Sequence, residues 1–397
     1  MRLLSVLLLA LSLAWLAPAA LRADPAGWTR AQALLAEGRA DQAVPILDAL
    51  VSADPQDIRF RLALARALLG VGQRERARHH LNAARGAPAL GPEDRRRLDD
   101  VLARLEGGKG WEAWARLAIV PETNPGQQTS ATTVDWGGWT LTLNPGARAA
   151  PATGLHLGAG GALLPRIGPG LRLRLGAAVE ARLFERSALN DVTARGEFGL
   201  QGQTAGGAAW GLWLTAQDRR IGNRAFGQAT GLVGIWAQRT GPRGQVQIRA
   251  ETERWRHAVQ VGRDGRRHAL SLGYVHALRP DLSLRAAAFG QWTDARAAWE
   301  TGRTLGASIG MQKQFEGGLV VSLDAMYLRH VRAAADPGFG VIRRDRRTSL
   351  TARIMHRTVS LSGFAPVLEL GLDRQRSTLP LNAFRNARVS VGLTRQF

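Results

Sequence analysis

The stretch LRLRLGAAVEARL, residues 171–183, puts Leu171, Leu173, Leu175, Ala177, Val179, Ala181 and Leu183 on one face of an extended chain. Arg172, Arg174, Gly176, Glu180 and Arg182 fall on the other. A strand that is aliphatic on one side and charged on the other needs two solvents, one apolar and one wet. The pattern recurs downstream. Leu282, Leu284, Ala286, Ala288 and Trp292 oppose Ser283, Arg285 and Gln291, and Leu319, Val321, Leu323, Ala325 and Tyr327 oppose Ser322, Asp324 and His330. At the end of the chain, Val389, Val391, Leu393 and Phe397 alternate with Arg388, Ser390, Thr394 and Gln396.

Cutting the chain at Gly, Pro, Asn and Asp turns gives strands near 111–120, 152–163, 169–184, 189–202, 206–217, 227–240, 243–258 and 265–279. Others follow near 281–294, 299–315, 317–331, 345–359, 363–376 and 384–397. They number about fourteen, an even count as closed bacterial barrels have, and most are long enough to cross hydrocarbon at a tilt. Residues 121–151 read as an irregular loop that folds inward or across the rim. Trp210, Trp213, Trp236, Trp255, Trp292, Trp299 and Tyr327 lie near strand ends and are expected to form interfacial girdles. A soluble β-sandwich shares the alternation, but the long strands, turns of alternating length such as the tight Arg279-Pro280-Asp281, and the terminal aromatics favour a transmembrane antiparallel β-barrel over residues 109–397.

Before Trp111 the period is helical. A shift of 34 residues lays Leu35 on Leu69, Gly38 on Gly72, Ala43 on Ala77 and Leu47 on Leu81. Such a period in helix pairs is tetratricopeptide-like. The spacing predicts helices over 28–37, 40–51, 58–69 and 74–84, with a capping helix over 92–105. An all-α helical-repeat domain is therefore expected over residues 24–108. Two repeats and a cap are near the minimum for a solenoid, so the domain is expected to lean on the barrel or on a partner. Leu34, Arg59, Arg61 and Arg66 are its candidate passenger-binding residues, the arginines facing an acidic passenger.

Met1, Arg2, the apolar run from Leu3 to Trp15 and the small residues ending at Ala23 have the layout of a signal peptide over residues 1–23, with cleavage after Ala20 as the alternative. No other segment is apolar for the roughly 18 residues a membrane helix needs. The chain has no Cys, which excludes disulfides, Cys-based metal sites and Cys nucleophiles. Its net charge of +21 would suggest nucleic acid in a cytosolic protein. Export removes that partner, and membrane phosphates or an acidic passenger take its place.

The charge is also uneven, with 37 Arg/Lys against 20 Asp/Glu over residues 111–397 and 14 against 12 over 24–110. The His residues lack metal-ligand spacing, and no nucleophile elbow, metalloprotease motif or nucleotide loop is present. No enzyme, metal or cofactor is expected.

The last stretch, GVIRRDRRTSLTARIMHRTVSLSGFAPVLELGLDRQRSTLPLNAFRNARVSVGLTRQF at residues 340–397, resembles the end of the surface lipoprotein assembly modulator (Slam) barrel. The features that carry the likeness are Arg344-Asp345 opening a strand, Gly363-Phe364-Ala365-Pro366, the segment from Asp373 to Ser377, Phe384-Arg385-Asn386, and Gly392 through Phe397. Ile119 to Pro125, with Thr123-Asn124, stands where that family carries an Asp-Ser-Asn-rich barrel opening, although Glu122-Thr123 replaces the Asp-Ser part.

The resemblance implies an outer-membrane translocator with a periplasmic repeat domain, moving a lipoprotein or a small haem- or metal-acquisition protein, encoded nearby, to the cell surface or medium. Alternation and the resemblance together make Arg172, Arg174, Glu180, Arg182, Arg285 and Arg353 lumen candidates for passenger contact. Phe397 on the last strand is read as an insertion signal for the barrel assembly machinery, and outer-membrane lipid and lipopolysaccharide are the surrounding partners. A passive porin and a polysaccharide export channel are the alternatives. The latter would favour aromatic and acidic lumen stacks and a longer repeat array.

Overall fold

The computed structural model describes residues 25–396 apart from 86, 88–89, 107–109, 137, 205, 316–318 and 357–363. The expected signal peptide, the 108/109 domain boundary, the start of the Gly363 turn and Phe397 lie outside the described residues.

Among the described residues, five helices come first: α1 (Pro25–Ala36), α2 (Ala40–Ala53), α3 (Ile58–Gly70), α4 (Arg74–Arg85) and α5 (Pro92–Glu106). The 34-residue shift holds in three dimensions. Ala31 and Ala65, Leu34 and Leu68, Ala43 and Ala77, and Leu47 and Leu81 are each at most 8% exposed and belong to one core. The small residues let helices approach closely, while the leucines supply the apolar area. Truncating a buried leucine such as Leu47 to Ala costs about 2–5 kcal/mol.

Gly38 and Gly72 take φ of +76° and +75°, a left-handed conformation that favours glycine. Each ends its helix with the same hydrogen-bond pair. Arg39 N–H donates to Leu34 O at 2.8 Å and Gly38 N–H to Leu35 O at 3.4 Å. Gln73 N–H donates to Leu68 O at 2.8 Å and Gly72 N–H to Leu69 O at 3.1 Å. These are Schellman caps.

Seventeen strands follow among the described residues, and fourteen of them close a barrel. The first is β1 (Trp111–Glu122). A short hairpin, β2 (Thr133–Trp136) with β3 (Trp139–Thr142), occupies part of the expected irregular loop. Then come β4 (Ala152–Leu163), the short β5 (Arg166–Gly168), β6 (Leu171–Phe184), β7 (Asp191–Gln203), β8 (Ala209–Ile221), β9 (Arg224–Arg239), β10 (Gly244–His257) and β11 (Gly265–Arg279). The chain ends with β12 (Leu282–Ala295), β13 (Gly302–Gln314), β14 (Leu319–Ala335), β15 (Ile342–His356), β16 (Ala365–Ser377) and β17 (Phe384–Gln396).

Every barrel pairing is antiparallel and joins neighbours in sequence, with β4 passing over β5 to β6. The ring is completed by β1, which pairs with β17 on one edge and β4 on the other. Closure removes both sheet edges.

The outer face carries exposed aliphatics, among them Ile119 (58%), Leu214 (58%) and Ile309 (64%). In water such a surface is an aggregation site; around a closed barrel it matches hydrocarbon.

Two members of the expected girdle are elsewhere. Trp210 and Trp236 face out as register partners, and Trp292 and Tyr327 are exposed on their strands. Trp213 and Trp255, each 5% exposed, point into the lumen. Their parity explains this: Trp213 shares a face with Thr215, Gln217 and Arg219, and Trp255 with Glu251 and Glu253. Gly199, opposite Trp213, makes room for it, since a Cβ there would sit 2.4 Å from the Trp213 Cβ.

Candidate functional site

The two ends of the barrel sequence meet in a buried polar clasp. Glu122 closes β1, and Asn386 stands near the start of β17. Asn386 Nδ2 donates to Glu122 Oε2 at 2.7 Å, and its Oδ1 accepts from Asn124 N–H at 2.9 Å. Asn124 Nδ2 donates to Gln128 O (2.7 Å) and Arg385 O (3.1 Å), while Thr123 Oγ1 accepts from Ala387 N–H at 2.8 Å. Arg182 of β6 and His156 of β4 reach the other Glu122 oxygen at 2.7 and 3.5 Å. Glu122, Asn124 and Asn386 are at most 6% exposed. Burial of such groups is tolerated only because each is paired, and loss of one partner strands the others.

Below the clasp, the lumen wall is a lattice of arginine and carboxylate. Arg174 bridges Glu112 and Glu197, both at 2.8 Å, and also Gln201 at 3.2 Å. Arg116 meets Glu180 at 2.6 Å, and Arg285 meets Asp324 at 2.9 Å. Arg353 meets Glu369 at 2.9 Å, and Asp373 takes Arg347 at 2.8 Å and Arg388 at 2.7 Å. Several guanidiniums also lie over inward aromatic rings: Arg174 over Trp213 (4.9 Å), Arg219 over Phe226 (5.1 Å), Arg267 over Trp255 (4.6 Å) and Arg347 over Phe384 (5.4 Å). Stacking fixes the plane of each guanidinium and adds about 0.5–2 kcal/mol of attraction.

A family model described as surface lipoprotein assembly modifier matches residues 145–397, and a tetratricopeptide-repeat model matches residues 34–105. The chain belongs to the surface lipoprotein assembly modifier family. It is thereby a protein of the outer membrane, with a transport role there.

No curated protein matches in sequence. Among solved structures, the CymD monoaromatic hydrocarbon channel is similar at 11% identity and TM-score 0.41, over 79% of this chain and 94% of that one. The outer membrane protein OpdK of Pseudomonas aeruginosa gives 8% identity and TM-score 0.36, over 72% and 99%. The KdgM porin in complex with disordered oligogalacturonate gives 12% and 0.29, over 52% and 95%. These low scores carry no functional argument.

The lumen residues anticipated from alternation, Arg172, Arg174, Glu180, Arg182, Arg285 and Arg353, all face inward. They do not present an unmatched cationic wall, because Arg174, Arg182, Arg285 and Arg353 are held by carboxylates on neighbouring strands and Glu180 by Arg116.

The repeat-domain candidates divide. Arg59 and Arg66 are exposed on α3. Leu34 is a core residue at 8% exposure, so it offers no passenger surface. Arg61 is fully buried and serves architecture instead: its Nε donates to Pro55 O at 2.7 Å and its Nη2 to Gln314 Oε1 at 3.1 Å, at the periplasmic end of β13. Gln314 Nε2 lies 3.1 Å from His79 Nε2 of α4, and Arg239 at the foot of β9 reaches Asn82 at 3.4 Å. The helical domain is thus seated on the barrel rim by polar contacts, as expected of a solenoid this short.

Asp57, which caps α3 through Arg59 N–H at 2.8 Å, is pushed upward by burial. The hydrogen bonds and charge of Arg59 outweigh that push and hold its carboxyl below the usual range.

In the outer half of the lumen lies a cavity of ≈ 370 Å³, walled by Arg219, Trp255, Arg267, Thr304, His330 and Arg332 among others.

Proposed function

We propose that the protein moves a polypeptide passenger from the periplasm to the cell surface, the repeat domain receiving it at the inner rim and the barrel carrying it outward. The passenger is a lipoprotein or a small soluble haem- or metal-acquisition protein encoded nearby. The single observation that carries the reading is the family match over nearly all of the barrel, and the docked repeat domain supports it. Lumen charges that are already paired offer a passing chain exchangeable hydrogen bonds without an apolar trap. Arg59 and Arg66, exposed on α3, are the proposed first contacts for acidic passenger segments. Barrel assembly machinery, outer-membrane lipid and lipopolysaccharide are the proposed partners in biogenesis, and the chain acts as a translocator rather than an enzyme.

The test is deletion of the gene followed by protease shaving of intact cells. Loss of shaving-sensitive surface lipoprotein, restored by the wild-type gene, supports the proposal. Unchanged surface display together with lost small-solute conductance makes the chain a porin.

A second reading, polysaccharide export, is favoured by the inward rings of Trp213 and Trp255 beside Glu197 and Glu253, since stacked rings and carboxylates suit sugars. It predicts loss of surface polysaccharide and intact lipoprotein display in the same deletion strain.

A further inference from the structure

Arg267 stands apart from the other charges of the lumen wall. Arg174, Arg182, Arg219, Arg285 and Arg347 each hold a carboxylate oxygen within 3 Å. The nearest ion-pair partner of Arg267 is Glu253 Oε2 at 3.9 Å, an oxygen already accepting from Trp255 Nε1 at 2.9 Å. Among the described residues, no acceptor lies within hydrogen-bond range of the Arg267 guanidinium. Its face rests on the Trp255 ring at 4.6 Å, which fixes its plane and leaves its N–H edge available for forked bonding.

Arg267 lines the ≈ 370 Å³ cavity in the outer half of the lumen. The rest of the lining is also short of negative charge, because Arg332 and Arg263 share one carboxylate, Glu300, at 2.7 and 3.1 Å. Thr304, Gln291 and Thr293 add neutral polar groups to the lining.

We propose that this cavity is a binding site for a compact oxyanion, held by the free edge of Arg267 and drawn in by the excess positive charge of the same lining. An oxyanion matches a guanidinium fork bidentately and balances the unneutralised charge. The same chemistry comes from free phosphate or from carboxylate side chains on an acidic polypeptide segment. The inference stands independently of the passenger reading, since a site for free phosphate needs no passenger.

The test uses the purified full-length protein in detergent, titrated calorimetrically with inorganic phosphate and, separately, with a hexaglutamate peptide. Wild type is expected to bind at least one probe saturably. Arg267→Gln should weaken that binding by about tenfold or more, and Arg332→Gln, which only lowers the charge of the lining, by less, with heat-dependent gel mobility retained as the sign of an intact barrel. Arg256→Gln, on the outer face of β10 at the same height, should leave it unchanged. Binding of phosphate alone identifies a free-anion site, and binding of hexaglutamate identifies a site for acidic polypeptide. No saturable binding of either probe overturns the proposal, as does equal weakening in Arg256→Gln.

Discussion

The Asn124 main-chain N–H donates to the Asn386 side chain at 2.9 Å across 262 residues of sequence, and the same Asn386 donates to Glu122 at 2.7 Å. One amide therefore ties the end of the first strand to the start of the last. The two ladders beside it are uneven. β1 and β4 pair continuously from Trp111 to Glu122, whereas the β1–β17 register skips Val120 and Pro121. Proline has no N–H to give that ladder, so the clasp holds the seam where the backbone does not.

Asn386→Ala should lower the temperature at which the barrel loses its folded gel mobility. The substitution leaves Glu122 Oε2 and the Asn124 N–H without their partner in a buried place, a cost of about 1–3 kcal/mol for each group. Gln228→Ala, an exposed position on β9 away from the seam, is the comparison. Equal transitions for Asn386→Ala and wild type would remove the clasp from the account of barrel closure.

Ile309, 64% exposed on the outer face of β13, should not tolerate a charge. Ile309→Arg is expected to destabilise the membrane-inserted barrel by about 2–4 kcal/mol, the cost of a cation near the bilayer midplane, and Ile309→Leu by far less. Denaturant unfolding in lipid vesicles measures the difference. A neutral Ile309→Arg would mean that β13 does not meet hydrocarbon there.

Gln314→Ala should loosen the helical domain without opening the barrel, since Gln314 receives Arg61 and contacts His79. Limited trypsin digestion should then cut within the helices several times faster, while heat-dependent mobility stays as in wild type. Digestion at the wild-type rate would show that the rim contact is not what seats the domain.

The α3 cap should make the helical domain sensitive to acid. The Asp57 carboxyl is held below the ordinary aspartate value of 3.8, so the stabilisation is complete above that pH and is lost as pH falls below it. Thermal unfolding of the full chain, followed at 222 nm, should show a helical transition whose advantage over Asp57→Ala is about 1 kcal/mol at neutral pH and shrinks as pH falls below 3.8. Asp57→Asn should retain most of the neutral-pH stability and lose the pH dependence. A pH-independent gap between wild type and Asp57→Ala would contradict the assignment.

The barrel was legible because alternation is a local signal. Residues 171–183 alone state which side of β6 is wet, and Arg174 and Arg182 do face the lumen. The inward Trp213 and Trp255 were also readable, because each shares parity with polar neighbours; position near a strand end was the misleading cue.

What the sequence hides is pairing across distance. Arg61 looks like one of three arginines on an amphipathic helix, and nothing near it reveals that Gln314, 253 residues on, will bury it. Arg353 reads as a free lumen cation until the β15–β16 register sets it opposite Glu369. Leu34 could have been assigned to the core from its 34-residue partner Leu68, since both fall on the same helix face.

Because the clasp draws one half from residues 122–124 and the other from 385–387, it cannot form on a nascent chain. Without the final strand, β1 has no partner on that edge and Glu122 and Asn124 lack Asn386. The ring can therefore close only after β17 has been made, as the last step of its assembly. A polypeptide that stops before residue 384 lacks the strand that closes the ring.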